Sequence, residues 1–154
     1  MTTQCTPTDT AKHMAQSCLA DIIELVDTLT AAEDDVDARI WYPLRKGPGT
    51  IDATDAVVEY HLDEAQQAIL EDALEVSVSA PGWHSLGDVV PTHYRILLCF
   101  GGPAVQVTGE LGAAMEPSDA NIEYQNWFTP WTRLPLGDDA QAAVLQYAQQ
   151  FYFG

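Results

Sequence analysis

The chain has 154 residues, 47% of them hydrophobic, and sets 23 Asp and Glu against 6 Lys and Arg, for a formal net charge of -17 at pH 7. Length and apolar content suit a single globular domain over residues 1–154 and exclude an intrinsically disordered chain. The charge excludes direct binding to nucleic acid or to an anionic membrane, since both need cationic side chains to displace counterions.

Thr6-Pro7-Thr8-Asp9 reads as a helix start, with Thr6 as N-cap and Pro7 at the first helical position. Leu19, Ile22, Ile23, Val26 and Leu29 recur at helical spacing, which predicts a helix from about Pro7 to Leu29. A charged turn is expected at Glu33-Asp34-Asp35-Val36-Asp37, then a short strand at Ile40-Trp41-Tyr42 ended by Pro43 and Lys46-Gly47-Pro48-Gly49. Between Thr54 and Leu74, the positions Val58, Leu62, Ala65, Ile69 and Ala73 mark a second helical region. Asp63-x-x-Gln66 resembles a capping box and would divide that region in two.

From Leu74 the period changes to two. Val76 and Val78 alternate with Ser77 and Ser79 as a half-buried strand does. Tyr94 to Phe100 and Val105 to Leu111 read as a hairpin across Gly101-Gly102-Pro103, and Ile122 to Phe128 as a fourth strand. Asp138 to Phe151 places Val144, Leu145, Ala148 and Phe151 on one helical face. Strands grouped in sequence predict an α+β fold: an antiparallel sheet of about four strands, with an N-terminal helix, a second helical region and a C-terminal helix packed on it.

Chemistry-bearing patterns are sparse. His84, Ser85 and Asp88 follow Pro81-Gly82-Trp83 in an expected loop, but sequence neighbours rarely reach triad geometry, and no G-x-S-x-G elbow is present. Cys99 sits in the most apolar strand, where a buried thiol is the expectation. His13, His61, His84 and His93 show no H-x-x-x-H spacing, and Asp34-Asp35-Val36-Asp37 lacks the glycine and glutamate of a calcium loop. Gly101-Gly102 is a hairpin turn and not a phosphate cradle. The expectation is therefore no catalytic residue, no metal and no cofactor. Cys5, Cys18 and Cys99 form no CxxC pair, which suits a reducing, cytoplasmic setting.

The acidic residues are unevenly placed: 16 of the 23 lie at or before Glu75. Asp55, Glu59 and Asp63 recur every four residues, joined by Glu64, Glu71, Asp72 and Glu75. On a continuous helix that step is about 6 Å, at which two carboxylates repel by about 0.7 kcal/mol in bulk water. Solubilising helices usually intersperse both signs, and here the offsetting cations are nearly missing. Two explanations stand side by side: a basic partner that relieves the repulsion, or an inert acidic surface shared by a whole proteome. On the first, the contact residues are Asp34, Asp35, Asp37, Asp55, Glu59, Asp63, Glu64, Glu71, Asp72 and Glu75. Most of Tyr124, Trp127, Phe128, Trp131, Tyr147, Phe151, Tyr152 and Phe153 are expected in the core between sheet and last helix. Trp131, beside Pro130 and near Arg133, is expected to be exposed and to join the contact surface.

The stretch Ile122-Glu-Tyr-Gln-Asn-Trp-Phe-Thr-Pro-Trp-Thr132, the ending Tyr147 to Gly154, Gly82-Trp83-His84-Ser85 and Leu98 to Val105 resemble acidic accessory proteins carried by phages, plasmids and integrative elements of bacteria. The resemblance covers residues 80–154 and brings no catalytic residue with it. It implies a setting in which small acidic proteins counter host defence, as anti-CRISPR and antirestriction proteins do, several by mimicking DNA. The expected function is an inhibitor that occupies the basic groove of a bacterial nucleic-acid-binding protein or complex. An immunity protein neutralising a basic toxin is the alternative, with a hydrolase using His84 behind both.

Overall fold

The computed structural model describes residues 7–41 and 53–153, with side chains over residues 10–34 and 62–153. The elements run α1 (Pro7–Trp41), α2 (Ala53–Asp72), β1 (Glu75–Ser79), β2 (His93–Cys99), β3 (Ala104–Glu110), β4 (Asn121–Gln125), β5 (Thr132–Arg133) and α3 (Asp138–Ala148). The class is α+β, as the grouping of the strands predicts.

Pro7 opens α1, where its missing N–H costs nothing, while Thr6 lies outside the described residues. Ala11, Ala15, Ile22, Val26, Leu29 and Ala32 are buried along one stripe. The helix continues through Glu33–Asp37 and Ile40–Trp41, so neither the expected turn nor the strand at Ile40 and Trp41 forms there. Charge repulsion costs only tenths of a kilocalorie per pair, and no Gly or Pro interrupts the segment to convert it into a break. Tyr42, Pro43 and Lys46–Gly49 lie outside the described residues. α2 is likewise one helix and not two, running uninterrupted through Asp63.

The five strands form an antiparallel meander whose spatial order is their sequence order. Val76 pairs with Ile96, Ile96 with Val107 and Val107 with Ile122, so these side chains share one face of the sheet. α1 crosses that face over β3 and β4, α3 packs on α1 and β4, and α2 packs on α1. Ile22, Leu29, Ile96, Val105, Val107, Ile122 and Val144 are fully buried in the resulting core, each contributing about 1.5–3 kcal/mol of transfer free energy. Tyr94 stacks on Phe153 at 4.9 Å between ring centres and donates its hydroxyl to the Asp119 carbonyl at 2.6 Å. Gly109 permits that closure, because a Cβ there would collide with the Asp119 carbonyl.

β4 ends at Gln125, short of Phe128, because Asn126–Thr129 form a tight turn. Thr129 Oγ1 accepts from Asn126 N at 3.0 Å, and Gln125 Nε2 donates to the Thr129 carbonyl at 2.7 Å. After the turn the chain comes back as the two-residue strand β5, a fifth strand beyond the four that alternation marks. α3 stops at Ala148, and the next residues tighten, Gln150 N donating to Tyr147 O and Phe151 N to Ala148 O.

Candidate functional site

The carboxylates singled out in the sequence fall into three groups. On α2, Asp63, Glu64, Glu71 and Asp72 are exposed, and Glu75 is exposed at the first position of β1. Asp34 is exposed on α1, alongside Asp21, Glu24 and Asp27. Asp35 and Asp37 lie on α1, and Asp55 and Glu59 on α2, with side chains outside the described set. α1 and α2 pack together as a helical layer on the opposite side of the core from the open sheet face. Lys12 is the only Lys or Arg among the described side chains of these two helices. In so one-signed a field, neighbouring carboxylates raise the negative potential together.

Asp72 also has a structural task. Its Oδ2 accepts the Tyr147 hydroxyl at 2.8 Å, tying the end of α2 to α3. Burial, then this hydrogen bond and the Asp72 charge, push the phenol well above its ordinary range. Glu71 accepts from Gln67 Nε2 at 2.9 Å and Glu75 from Ser77 Oγ at 3.2 Å, both on the surface.

Trp131 does not stand out as the exposed aromatic. It is half-buried, lining a hollow of about 260 Å³ with Phe100, Trp127 and Phe128. Among the described residues the rings that reach solvent are Trp83 and Phe128, both fully exposed, together with Tyr152, Phe100 and, at 67%, Trp127. Trp127 lies so close over the β2–β3 turn that a Cβ at Gly102 would strike its indole nitrogen. Phe128 takes a left-handed backbone conformation, φ +63°, within the Asn126–Thr129 turn. The expectation that most of these aromatics are core holds for Tyr124, Tyr147 and Phe153, which are buried, and fails for Trp127, Phe128 and Tyr152, which are exposed, with Phe151 and Trp131 half-buried.

The open face of the sheet was not foreseen. Ser77, Arg95, Thr108 and Asn121 lie in one register row, beside the row of Glu75, Leu97, Gln106, Glu123 and Arg133. Glu123 Oε1 accepts from Thr108 Oγ1 at 2.8 Å and from Gln106 Nε2 at 3.1 Å, while the buried Gln106 Oε1 has no partner among the described residues. Arg95 and Arg133, the two basic residues after Glu75, both line a concavity of about 580 Å³ here. The available signal was the alternation of polar residues along β2, β3 and β4.

The candidate hydrolase residues are not assembled. His84 Nε2 lies 3.2 and 3.0 Å from the carbonyls of Ala80 and Pro81, positioned to donate to the backbone rather than to face Ser85. Among the described residues no hydrogen bond joins it to Ser85. Cys99 lies at the far end of β2, where its Sγ donates to the Pro103 carbonyl at 3.4 Å and burial raises its pKa. The Cys18 thiol is pushed to about 11, first by burial, then by Cys99, Asp72 and Asp21, which keeps it a poor nucleophile. Among the described residues no three His, Cys, Asp or Glu side chains converge as a metal set, and no helix is long and apolar enough to cross a membrane. No protein family, curated protein or solved structure matches the chain.

Proposed function

We propose that this chain is a binding protein that offers the outer carboxylates of α1 and α2 to a basic partner, and that it inhibits a nucleic-acid-binding bacterial defence protein on behalf of a mobile element. The reading is supported by one observation above all. Asp21, Glu24, Asp27 and Asp34 on α1 and Asp63, Glu64, Glu71 and Asp72 on α2 are all exposed, with Lys12 the only described Lys or Arg on these helices. A surface kept only for solubility would lose little by mixing signs, whereas a groove built for phosphates selects against cations.

The test is affinity capture from bacterial lysate at about 50 mM and about 500 mM salt, where the Debye length falls from roughly 14 to 4 Å. The captured partner is expected to be basic, to be displaced by duplex DNA, and to be released at the higher salt. Asp27→Lys with Asp63→Lys should weaken capture roughly 10-fold, at about 0.5–1 kcal/mol for each reversed surface charge. Capture indifferent both to salt and to these reversals would reduce the acidic layer to an inert surface.

A further inference from the structure

We infer that the free edge of β1 receives an extended segment of the basic partner as a sixth strand, one whose side chains alternate between apolar and basic. This rests on the reading above that the partner is basic, and adds to it a second contact with its own geometry.

Among the described residues β1 bonds only to β2, and the backbone groups on its other edge have no strand partner there. An edge of this kind is a template for strand addition unless it is blunted by Lys, Pro, a bulge or a covering element. Glu75–Ser79 contains no Lys or Pro, and its register with β2 is unbroken from Glu75–Leu97 to Ser79–His93.

The helical layer also leaves this end of the sheet bare. Val76 and Val78 stand on the core face, in rows with Ile96 and Tyr94 at 0% and 3% exposure, yet they are 40% and 43% exposed themselves. α1 packs on β3 and β4 and α3 on β4, and the exposure of Val76 and Val78 shows that the described helices leave them largely uncovered. Leu74 just before β1, and Val89 and Val90 in the connection back to β2, are exposed as well, which extends the apolar surface at both ends of the strand.

The register then specifies the added strand. Its core-side positions would prolong the Val76–Ile96–Val107–Ile122 row and must be apolar. Its other positions fall beside Glu75, Ser77 and Ser79; Lys or Arg is favoured at the Glu75 end, where Glu71 and Asp72 are exposed just ahead and Arg95 lies two residues along, opposite Ser77. A second copy of this chain fits less well, because it would bring the same carboxylates and another -17 charges to the edge.

The probe is a nine-residue peptide of alternating Val and Lys, compared with a peptide of equal composition that segregates its Val and Lys into two blocks. Binding is followed by titration calorimetry and by hydrogen exchange at the β1 amides. The alternating peptide is expected to bind at least 10-fold more tightly than the block peptide and to protect the β1 amides that face away from β2. Val76→Lys with Val78→Lys, at two partly exposed positions, should abolish that difference while thermal unfolding shows the fold intact. Asp27→Lys with Asp63→Lys should leave peptide binding within about 3-fold, since both lie on the helical layer. Equal binding of the two peptides without β1 protection would overturn the inference. So would a wild-type dimer in sedimentation that the Val76→Lys, Val78→Lys variant dissolves. Edge binding that survives while partner capture ignores the helix reversals would sink the helix-face reading alone.

Discussion

Replacing Tyr147 with Phe is expected to lower stability at neutral pH and to raise it in alkali, because one hydroxyl acts in both ranges. Tyr147 is fully buried, and among the described residues its hydroxyl bonds to Asp72. The acceptor is on the surface and regains water when the bond is lost, so the cost of Tyr147→Phe sits near the lower range for such bonds, about 1 kcal/mol. In the folded protein the phenol stays protonated far above its ordinary value of 10.0. Below pH 10 folded and unfolded chains both keep the proton; above it only the unfolded chain gives it up, so stability falls as pH rises. The slope approaches about 1.4 kcal/mol per pH unit, and the Phe variant lacks it. A deficit of about 1 kcal/mol is recovered roughly 0.6 units beyond the unfolded-state pKa, so the two stability curves should cross near about pH 10.6. Tyr94, buried and bonded to Asp119, gives both proteins a further alkaline loss of the same sign. Urea unfolding between pH 7 and 11, with tyrosinate absorbance recorded alongside, measures the crossing. Parallel curves, or a complete tyrosinate titration near pH 10 with the fold unperturbed, would refute the reasoning.

Two further outcomes follow from backbone geometry. Gly109→Ala should destabilise the domain by about 1–3 kcal/mol, as overpacking against a backbone carbonyl does, and should weaken the Tyr94–Asp119 closure visible in near-ultraviolet circular dichroism. Phe128→Gly should instead stabilise it by up to about 1 kcal/mol in urea titrations, because a bulky residue at φ +63° carries left-handed strain and its ring buries nothing. An unchanged or lower midpoint would mean that the ring contributes contacts that outweigh the strain.

The fold class was legible because its signals are local. The Pro7 start, the Ile22–Val26–Leu29 stripe and the alternation in β2 and β3 each need only a few neighbouring residues to be read. The far end of α1 was misread because carboxylates at Glu33–Asp37 look like a turn, although only Gly or Pro breaks a helix cheaply. β5 was invisible because two residues between Pro130 and Pro135 cannot display a period. Asp34, Asp63, Glu64, Glu71 and Asp72, the singled-out helical carboxylates whose side chains are described, lie on the surface as charge requires. Trp131 does not, since flanking polarity says nothing of which ring the Asn126–Thr129 turn swings outward. The bare edge of β1 could not be read at all. Val76 and Val78 have the pattern of a half-buried strand, and only the lateral position of the helices leaves them uncovered.

The sequential order of the meander also bears on how the chain is made. Each strand pairs with the one just synthesised, so the sheet can grow as it leaves the ribosome with short loop closures. α1 cannot finish so early. Its apolar stripe is covered by α2, β3, β4 and α3, and Gln146 Nε2 reaches back to Thr30 Oγ1 across 116 positions of sequence. Until α3 emerges, the part of the stripe that α3 covers stays unburied beneath a dense coat of carboxylates. That coat keeps nascent chains apart by mutual repulsion during the interval in which the stripe would otherwise drive them together.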